Sequence, residues 1–478
     1  MNFAQTDLAR LRTPAALLAA ALLLGGCATA AIDENYAAVR QFGIEQGGGE
    51  ARWLRNEAER AEMAATVDEL LAEPLDADGA VRIALGYSPA FQALLADAAA
   101  ASAEATRSAR VPNPVFSFER LVRGSGAERE LDIGRALSVS LLDILFLPAR
   151  LERAEARQQQ TRLQASAMLL QTVTEVRQAW VSAVAAASLA RHNDELAEAT
   201  AAGAELARRM QAAGNFSRLQ RARLQALHAE AVGNRIRARQ HAVAAREALV
   251  QKLGLTAAQA SALRLPEDLP ELPAAPLDEV AVARSALDER LDVRLARAEL
   301  EWTARDLGLT RVTSVVNALH LTGVSNSETG EPRQRGFELK LPLPLFDFGD
   351  AARAGGEARY LAAFNRSAQI ARAAVAQVRS GYHAYRGAHD LARHYRDEVV
   401  PLRQNIAEEA LLQYNGMLIG VFDLLADARA ERAATLQAVE AARDFWLAEA
   451  ALKATLLGHS SAPVALQTSA VPAEAGGH

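Results

Sequence analysis

Apolar and polar positions along this chain fall into a pattern that is stated once and then stated again. Helical periodicity runs from about Gly79 to Arg110 and stops at Val111-Pro112-Asn113-Pro114, where two prolines end a helix and start extended chain. Val115-Phe116-Ser117-Phe118-Glu119 then reads as a strand, followed by a turn at Gly124 to Gly126. In the next strand Leu131, Ile133, Leu137, Val139 and Leu141 share one face, and Asp132, Gly134, Ala136, Ser138 and Ser140 the other. In the second statement Arg311 to Gly323 reads as a strand and Asn326 to Arg335 as a turn. Phe337, Leu339, Leu341, Leu343 and Leu345 then oppose Glu338 and Lys340. Each strand pair is followed by helical pattern, from Pro148 to Ala213 and from Asp350 to Asn415. Each run of about 66 residues spans on the order of 100 Å as a helix.

The two statements are in register. Pro74-Leu75-Asp76 returns as Pro276-Leu277-Asp278, and the glycine turn Ala213-Gly214-Asn215 returns at Asn415-Gly416-Met417, both 202 residues later. Such self-similarity marks a duplicated structural unit. The shorter return helices have matching lengths. Phe216 to Leu253 with Val280 to Leu309, and Leu418 to Leu457 with Gly79 to Arg110, each add to about the length of a long helix. The expectation is two pairs of stacked short helices beside two long ones. Pro401 removes a bond to the carbonyl of Asp397, which predicts a kink in the second long helix. Helix-on-helix seams are read at Leu169, Val173, Val176 and Trp180. A second seam runs through Leu425, Ala428, Thr435, Val439, Ala442 and Trp446, interrupted by Arg432.

Composition agrees with long packed helices: aromatic residues are only 5% of the chain, and alanine is abundant. The net charge of −6, with no basic stripe, argues against a nucleic-acid partner. Beyond residue 26 no run of 18 apolar residues offers a transmembrane helix, so a membrane crossing would have to use strands. Strands of about ten residues are long enough to cross when tilted. Four strands cannot close a barrel, which leaves either a small soluble sheet or a barrel shared by several chains. Three copies would supply twelve strands.

At the start of the chain, Arg10 and Arg12 precede an apolar run from Ala15 to Leu24, the pattern of a secretory signal. The run closes in Leu24-Gly25-Gly26-Cys27, which resembles the bacterial lipobox. That likeness implies lipidation of Cys27, the single cysteine, and sorting to the outer membrane. From Cys27 to about Leu71 the chain reads as an extended or partly helical lead-in. The tail from Ser460 to His478 reads as disordered. The expected organisation is a signal peptide over 1–26, a lipidated lead-in over 27–78 and a first repeat over 79–253. A linker over 254–279, a second repeat over 280–457 and a tail over 458–478 follow.

From about Leu71 to Leu457 the chain resembles the TolC-like outer-membrane factor family. The residues carrying the likeness are Pro112-Asn113-Pro114 before the first strand pair and Leu343-Pro344-Leu345-Phe346-Asp347-Phe348-Gly349 after the second. The stretch from Tyr414-Asn415-Gly416-Met417-Leu418 through Ile419-Gly420-Val421-Phe422-Asp423-Leu424-Leu425 adds to it. The resemblance implies a mainly α fold with β. A long antiparallel coiled-coil α-barrel would carry four β-strands per chain, completing a 12-stranded trimeric transmembrane β-barrel. It implies a passive exit duct in the outer membrane, partnered by a periplasmic adaptor (membrane fusion) protein and an inner-membrane pump. The lipidated Cys27 is similar to the branch serving resistance–nodulation–division pumps, metal exporters among them. The adaptor-docking tips implied are Gly214, Asn215, Phe216 and Ser217, and Gly416, Met417, Leu418, Ile419 and Gly420. Asp423 and Asp427 are the implied tunnel-entrance acids. Solvated helix faces and plain helix caps would explain the same residues. The exit duct of a one-step protein secretion system and a lipid-anchored periplasmic coiled-coil scaffold remain as alternatives.

Catalytic patterns are lacking. His383, His389 and His394 are spaced by six and five, which does not stack metal ligands on one helix face as an i,i+4 pair would. No GxSxG, Walker loop, Rossmann glycine run or HExxH occurs. The expectation is a non-enzyme without a cofactor or resident metal.

Overall fold

The computed structural model describes residues 27–124, 129–279, 290–315, 318–343 and 345–459. The expected signal segment through Gly26, part of the turn after Gly124, residues 280–289 of the expected return helix, Pro344 and the expected tail from Ser460 lie outside the described residues. The chain divides into two compact units, each drawn from both halves of the sequence. One comprises Met1–Ala38, Ala96–Ala165 and Val293–Ala371; the other comprises Val39–Leu95, Ser166–Asp292 and Arg372–His478.

The first unit contains a four-stranded antiparallel sheet in the order β1-β2-β3-β4. Its strands are β1 Val115–Arg123, β2 Glu130–Ser140, β3 His320–Glu328 and β4 Gln334–Lys340. The Pro112-Asn113-Pro114 break places β1 where expected. The second pair is corrected: Arg311 to Thr313 is helical, and the strand begins at His320. The β-branched residues Val312 and Thr313 have strand propensity, but they continue an established helix, and context overrides so weak a preference. Leu141 is corrected too, because β2 stops at Ser140 and a short helix, Leu141–Leu145, follows.

Helices account for most of the remainder. The lead-in is partly helical: α1 Cys27–Phe42 passes into a π turn at Gly43–Gly47, and after a non-helical stretch over 48–56, α2 spans Glu57–Leu70. The periodic run from Gly79 to Arg110 is two helices, α3 Ala77–Gly86 and α4 Pro89–Ala109. Pro89 lacks the N–H that would continue α3, yet it starts α4 without loss because the first helical N–H has no partner. After the short α5 Leu141–Leu145, the long α6 covers Leu147–Ala212, and α7 covers Arg218–Leu253. A brief α8 Ala257–Ala262 precedes α9 Leu291–Thr313. The second long arm is α10 Asp350–His394, a π turn at Tyr395–Val399, and α11 Val400–Asn415, with α12 Val421–Leu456 returning. The π turn answers Pro401: the N–H of Val400 bonds to the carbonyl of Tyr395, so the ladder widens just before the proline removes a donor. No described helix is long and apolar enough to cross a membrane.

The duplication reappears as hydrogen bonding in the second unit. Trp180 Nε1 donates to the carbonyl of Leu75 at 2.8 Å, and the Tyr382 hydroxyl donates to the carbonyl of Leu277 at 3.2 Å. Donor and acceptor both recur 202 residues apart, so the two Pro-Leu-Asp segments are strapped to the two long arms by equivalent bonds. Around Tyr382 a core of Tyr385, Phe445 and Leu452 is buried, with the His389 ring edge-on to Phe445. His389 is 1% exposed and lies 3.3 Å from the Pro273 carbonyl through Nε2, so it serves the core and the proline segment. The first seam is buried as read, at Leu169, Val173, Val176 and Trp180. The second is displaced: the buried stripe of α12 is Ala434, Ala441, Phe445, Ala448 and Leu452. Alanine fills close contacts that a hydrophobicity reading ranks below Leu and Trp.

The stacking of the short helices is crossed relative to expectation. The end of α12 meets the start of α9, with Leu291 N–H bonded to the Leu457 carbonyl at 2.9 Å. The end of α7 meets the start of α4, where Gly254 lies against Ser88 and Pro89. Both junctions turn on a glycine at positive φ, 70° at Gly254 and 92° at Gly458. A Cβ on Gly458 would stand 2.8 Å from Leu291 N, so both the conformation and the space exclude a side chain. Arg290, fully buried, closes this junction by donating to the Thr455 carbonyl at 2.8 Å while it pairs with Asp292. Gly458→Ala is therefore expected to destabilise the protein by about 1–3 kcal/mol, read as a lowered thermal midpoint. An unchanged midpoint would mean that the junction does not bear on stability.

Candidate functional site

Two helical hairpins end in exposed turns within the second unit, and their backbones are the same motif. At the first tip Asn215 N–H bonds to the Met210 carbonyl at 2.9 Å and Gly214 N–H to Gln211 at 3.1 Å. At the second tip Leu418 N–H bonds to Gln413 at 2.9 Å and Met417 N–H to Tyr414 at 2.9 Å. These are Schellman-type helix ends, which need one residue in the left-handed region. Gly214 fills it at the first tip with φ 79°. At the second tip the residue is Met417, φ 61°, whereas Gly416 has an ordinary φ of −76°. The chain thus reverses at Met417 and not at Gly416, and the tips match at a spacing of 203 residues. A methionine in this conformation is strained where glycine is not, and its side chain is 93% exposed. Leu418 beside it is 77% exposed.

The return helices begin alike. Ser217 caps α7 and exchanges bonds with Gln220: Gln220 N–H donates to Ser217 Oγ at 3.2 Å, and Ser217 N–H donates to Gln220 Oε1 at 2.8 Å. At the second tip Gly420 has no side chain to offer, and only the reverse bond exists, from Gly420 N–H to Asp423 Oδ2 at 3.2 Å. Asp423 therefore holds the first turn of α12 and places negative charge at its N-terminus, where the helix dipole favours it. Asp427 follows one turn later on the same face.

Contacts between the hairpins were not anticipated from sequence. Phe216 stacks on Phe422 with ring centroids 5.6 Å apart and planes 22° apart. Above them Arg429 faces Glu230 at 3.9 Å and Arg432 faces Glu195 at 3.5 Å, both exposed pairs of modest strength. Arg432, which interrupts the apolar repeat, thus has a partner on α6. An apolar groove of about 200 Å³ lies among them, lined by Leu196, Thr200, Leu224, Leu227 and Leu425. The tip residues therefore come together, with Phe216 packed and Met417 and Leu418 left to solvent. Among the described residues no group of three or more His, Cys, Asp or Glu is placed to hold a metal. Cys27 is the first residue of α1.

The fold that carries these tips is similar to that of solved outer-membrane channels. The chain is similar to a membrane protein from Pseudomonas aeruginosa, with TM-score 0.66 and 21% identity over 83% of this chain and 93% of that one. It is similar to the Campylobacter jejuni CmeC outer membrane channel, with TM-score 0.68 and 13% identity over 86% and 90% of the two chains. The outer membrane protein VceC of Vibrio cholerae matches with TM-score 0.66 and 14% identity over 83% and 97%. The fold is TolC-like, combining long helical hairpins with a small antiparallel sheet. No family model matches the sequence, and no curated protein does.

Just above the first tip, Glu205 accepts hydrogen bonds from Arg208 at 2.7 Å and Arg209 at 2.8 Å. These bonds, that from Arg208 foremost, lower its pKa from 4.5 to about 2. The unfolded carboxyl titrates near its ordinary value. The stabilisation is thus complete above about pH 4.5 and is lost as pH falls toward about 2. A carboxyl carbon NMR titration of Glu205 should show a midpoint near 2, moving toward 4.5 in Arg208→Ala/Arg209→Ala. A wild-type midpoint at 4.5 would mean that the pairs do not persist in solution.

Proposed function

We propose that the chain is the outer-membrane exit duct of a tripartite efflux pump. The observation that carries this reading is the likeness, over more than four-fifths of the chain, to outer-membrane channels such as CmeC and VceC. In the proposed assembly three copies pool their sheets into one twelve-stranded barrel, since four strands are too few to close. The apolar sheet face meets lipid, and the polar face lines the passage. The helical hairpins reach into the periplasm, and their tips meet a periplasmic adaptor protein docked on an inner-membrane pump of the resistance–nodulation–division type. Exposed apolar Met417 and Leu418 suit such a partner. Asp423 and Asp427 in three copies form a ring of negative charge at the entrance, which attracts cations. Cys27 carries the lipid anchor. Selectivity resides in the pump, and metal ions or small toxic compounds are the substrates.

A deletion strain should become more sensitive to exported toxicants in growth-inhibition profiling. Sensitivity confined to metals assigns the duct to metal export, and sensitivity to unrelated drugs assigns it to general efflux. Wild-type growth throughout, with a missing secreted protein in the medium, would replace efflux by protein export. Met417→Asp/Leu418→Asp should abolish complementation of the deletion while leaving trimer and protein level unchanged. Full complementation would remove the tip from adaptor docking. Cys27→Ser should lose metabolic labelling by palmitate, and retained labelling would rule out this attachment site.

A further inference from the structure

The sheet carries a charge distribution that conduction does not use. Strand register arranges the side chains of one face into rows. On the apolar face the row nearest the helical connections is Val139, Leu321 and Leu339, and the next is Phe116, Leu137, Gly323 and Phe337. Neither row contains a charge. The third row reads Phe118, Arg135, Ser325 and Arg335. Arg333, in the turn before β4, donates from Nε to Ser325 Oγ at 2.9 Å. Three guanidinium groups therefore surround one serine. Arg120 stands in the following row, opposite Ile133. Adjacent strands lie about 4.8 Å apart, so Arg135 and Arg335 flank Ser325 with about 10 Å between their backbones.

Nothing in the sheet balances this charge. No carboxylate of the described residues lies within ion-pair distance of Arg120, Arg135, Arg333 or Arg335. Glu119, Glu130, Asp132, Glu328 and Glu338 all fall on the opposite face by strand alternation. There Arg123 pairs with Glu130 at 3.8 Å and Lys340 with Glu338 at 3.5 Å. Like charges gathered without a counter-ion repel one another, and an anion among them reverses the sign of the interaction. Guanidinium groups match phosphate oxygens bidentately. The neighbouring rows state what else the ligand must carry. Phe337 is 80% exposed and Phe116 65% in the row on the helix-proximal side, and Phe118, 57% exposed, carries this apolar surface into the cluster's own row. A free anion has no use for that surface, whereas a phosphate joined to acyl chains fits both parts.

We propose that Arg120, Arg135, Arg333 and Arg335 bind the phosphate of an anionic lipid headgroup, with the acyl chains lying along the apolar rows. The site then marks the outer border of the bilayer around the barrel. It rests on the membrane-duct reading above. The test uses full-length protein in detergent micelles, offered phosphatidic acid, phosphatidylcholine or inorganic phosphate, with bound lipid counted by native mass spectrometry. Phosphatidic acid should be retained over phosphatidylcholine, and equimolar inorganic phosphate should not displace it. Arg135→Gln/Arg335→Gln should weaken retention on the order of 30-fold, and Arg333→Gln, outside the strands, about fivefold. Arg123→Gln/Lys340→Gln on the other face should leave it unchanged. Equal retention by both double variants, or displacement by inorganic phosphate, would overturn the site while leaving the duct intact. A wild-type chain that never enters bilayers would overturn both readings together.

Discussion

Every inner strand of the sheet has its backbone paired on both sides, but β1 and β4 each keep one open edge. An open edge carries a row of N–H and C=O groups that must find partners, and in a lipid environment water cannot supply them. The chain's own helices do not shield the sheet: β1 and β4 are exposed along their whole length. Four strands are also too few to curl back on themselves. In the proposed assembly these edges meet the strands of other copies, which the antiparallel order allows identical chains to supply.

The helical part obeys a different constraint, close approach. Alanine lines the buried stripe of α12, and the large side chains are gathered where the Pro-Leu-Asp segments cross the long arms. Trp180 and Tyr382 are different residues in equivalent places, each using a polar ring atom to hold a leucine carbonyl. The duplication has thus preserved the hydrogen bond while changing the donor. At the glycine junctions no side chain is tolerated, so two short helices can meet end to end as one length.

Much of this was legible from the residues alone. Proline pairs, period-two alternation and the long alanine-rich runs mark the strands and the two arms, because each rests on local geometry. The pairing of short helices was not legible, since equal lengths permit either partner and the choice is made by the contacts of Gly254 and Gly458. The start of β3 was missed because Val312 and Thr313 look like strand residues while obeying the helix before them. The chain reverses within both glycine-containing stretches, but at the second the turning residue is not the glycine. Gly416 is the residue that local propensity favours, and Met417 takes the left-handed place because the helix end demands it there. The stacking of Phe216 on Phe422 joins residues far apart in sequence and leaves no periodic trace.

The one-residue discrepancy between the halves has an address. Leu75 with Leu277, and Trp180 with Tyr382, recur at 202 residues, whereas the tip motifs recur at 203. The extra residue lies between Tyr382 and Met417, and the π turn at Tyr395–Val399 lies in that interval. A π turn is how an α-helix takes in one additional residue without breaking. The second arm therefore carries an insertion hidden within its own hydrogen-bond ladder. Because the extra residue is absorbed locally, side chains on either side stay in phase with the neighbours they pack against. The two arms can then differ in the number of residues between strap and tip and still end in the same turn.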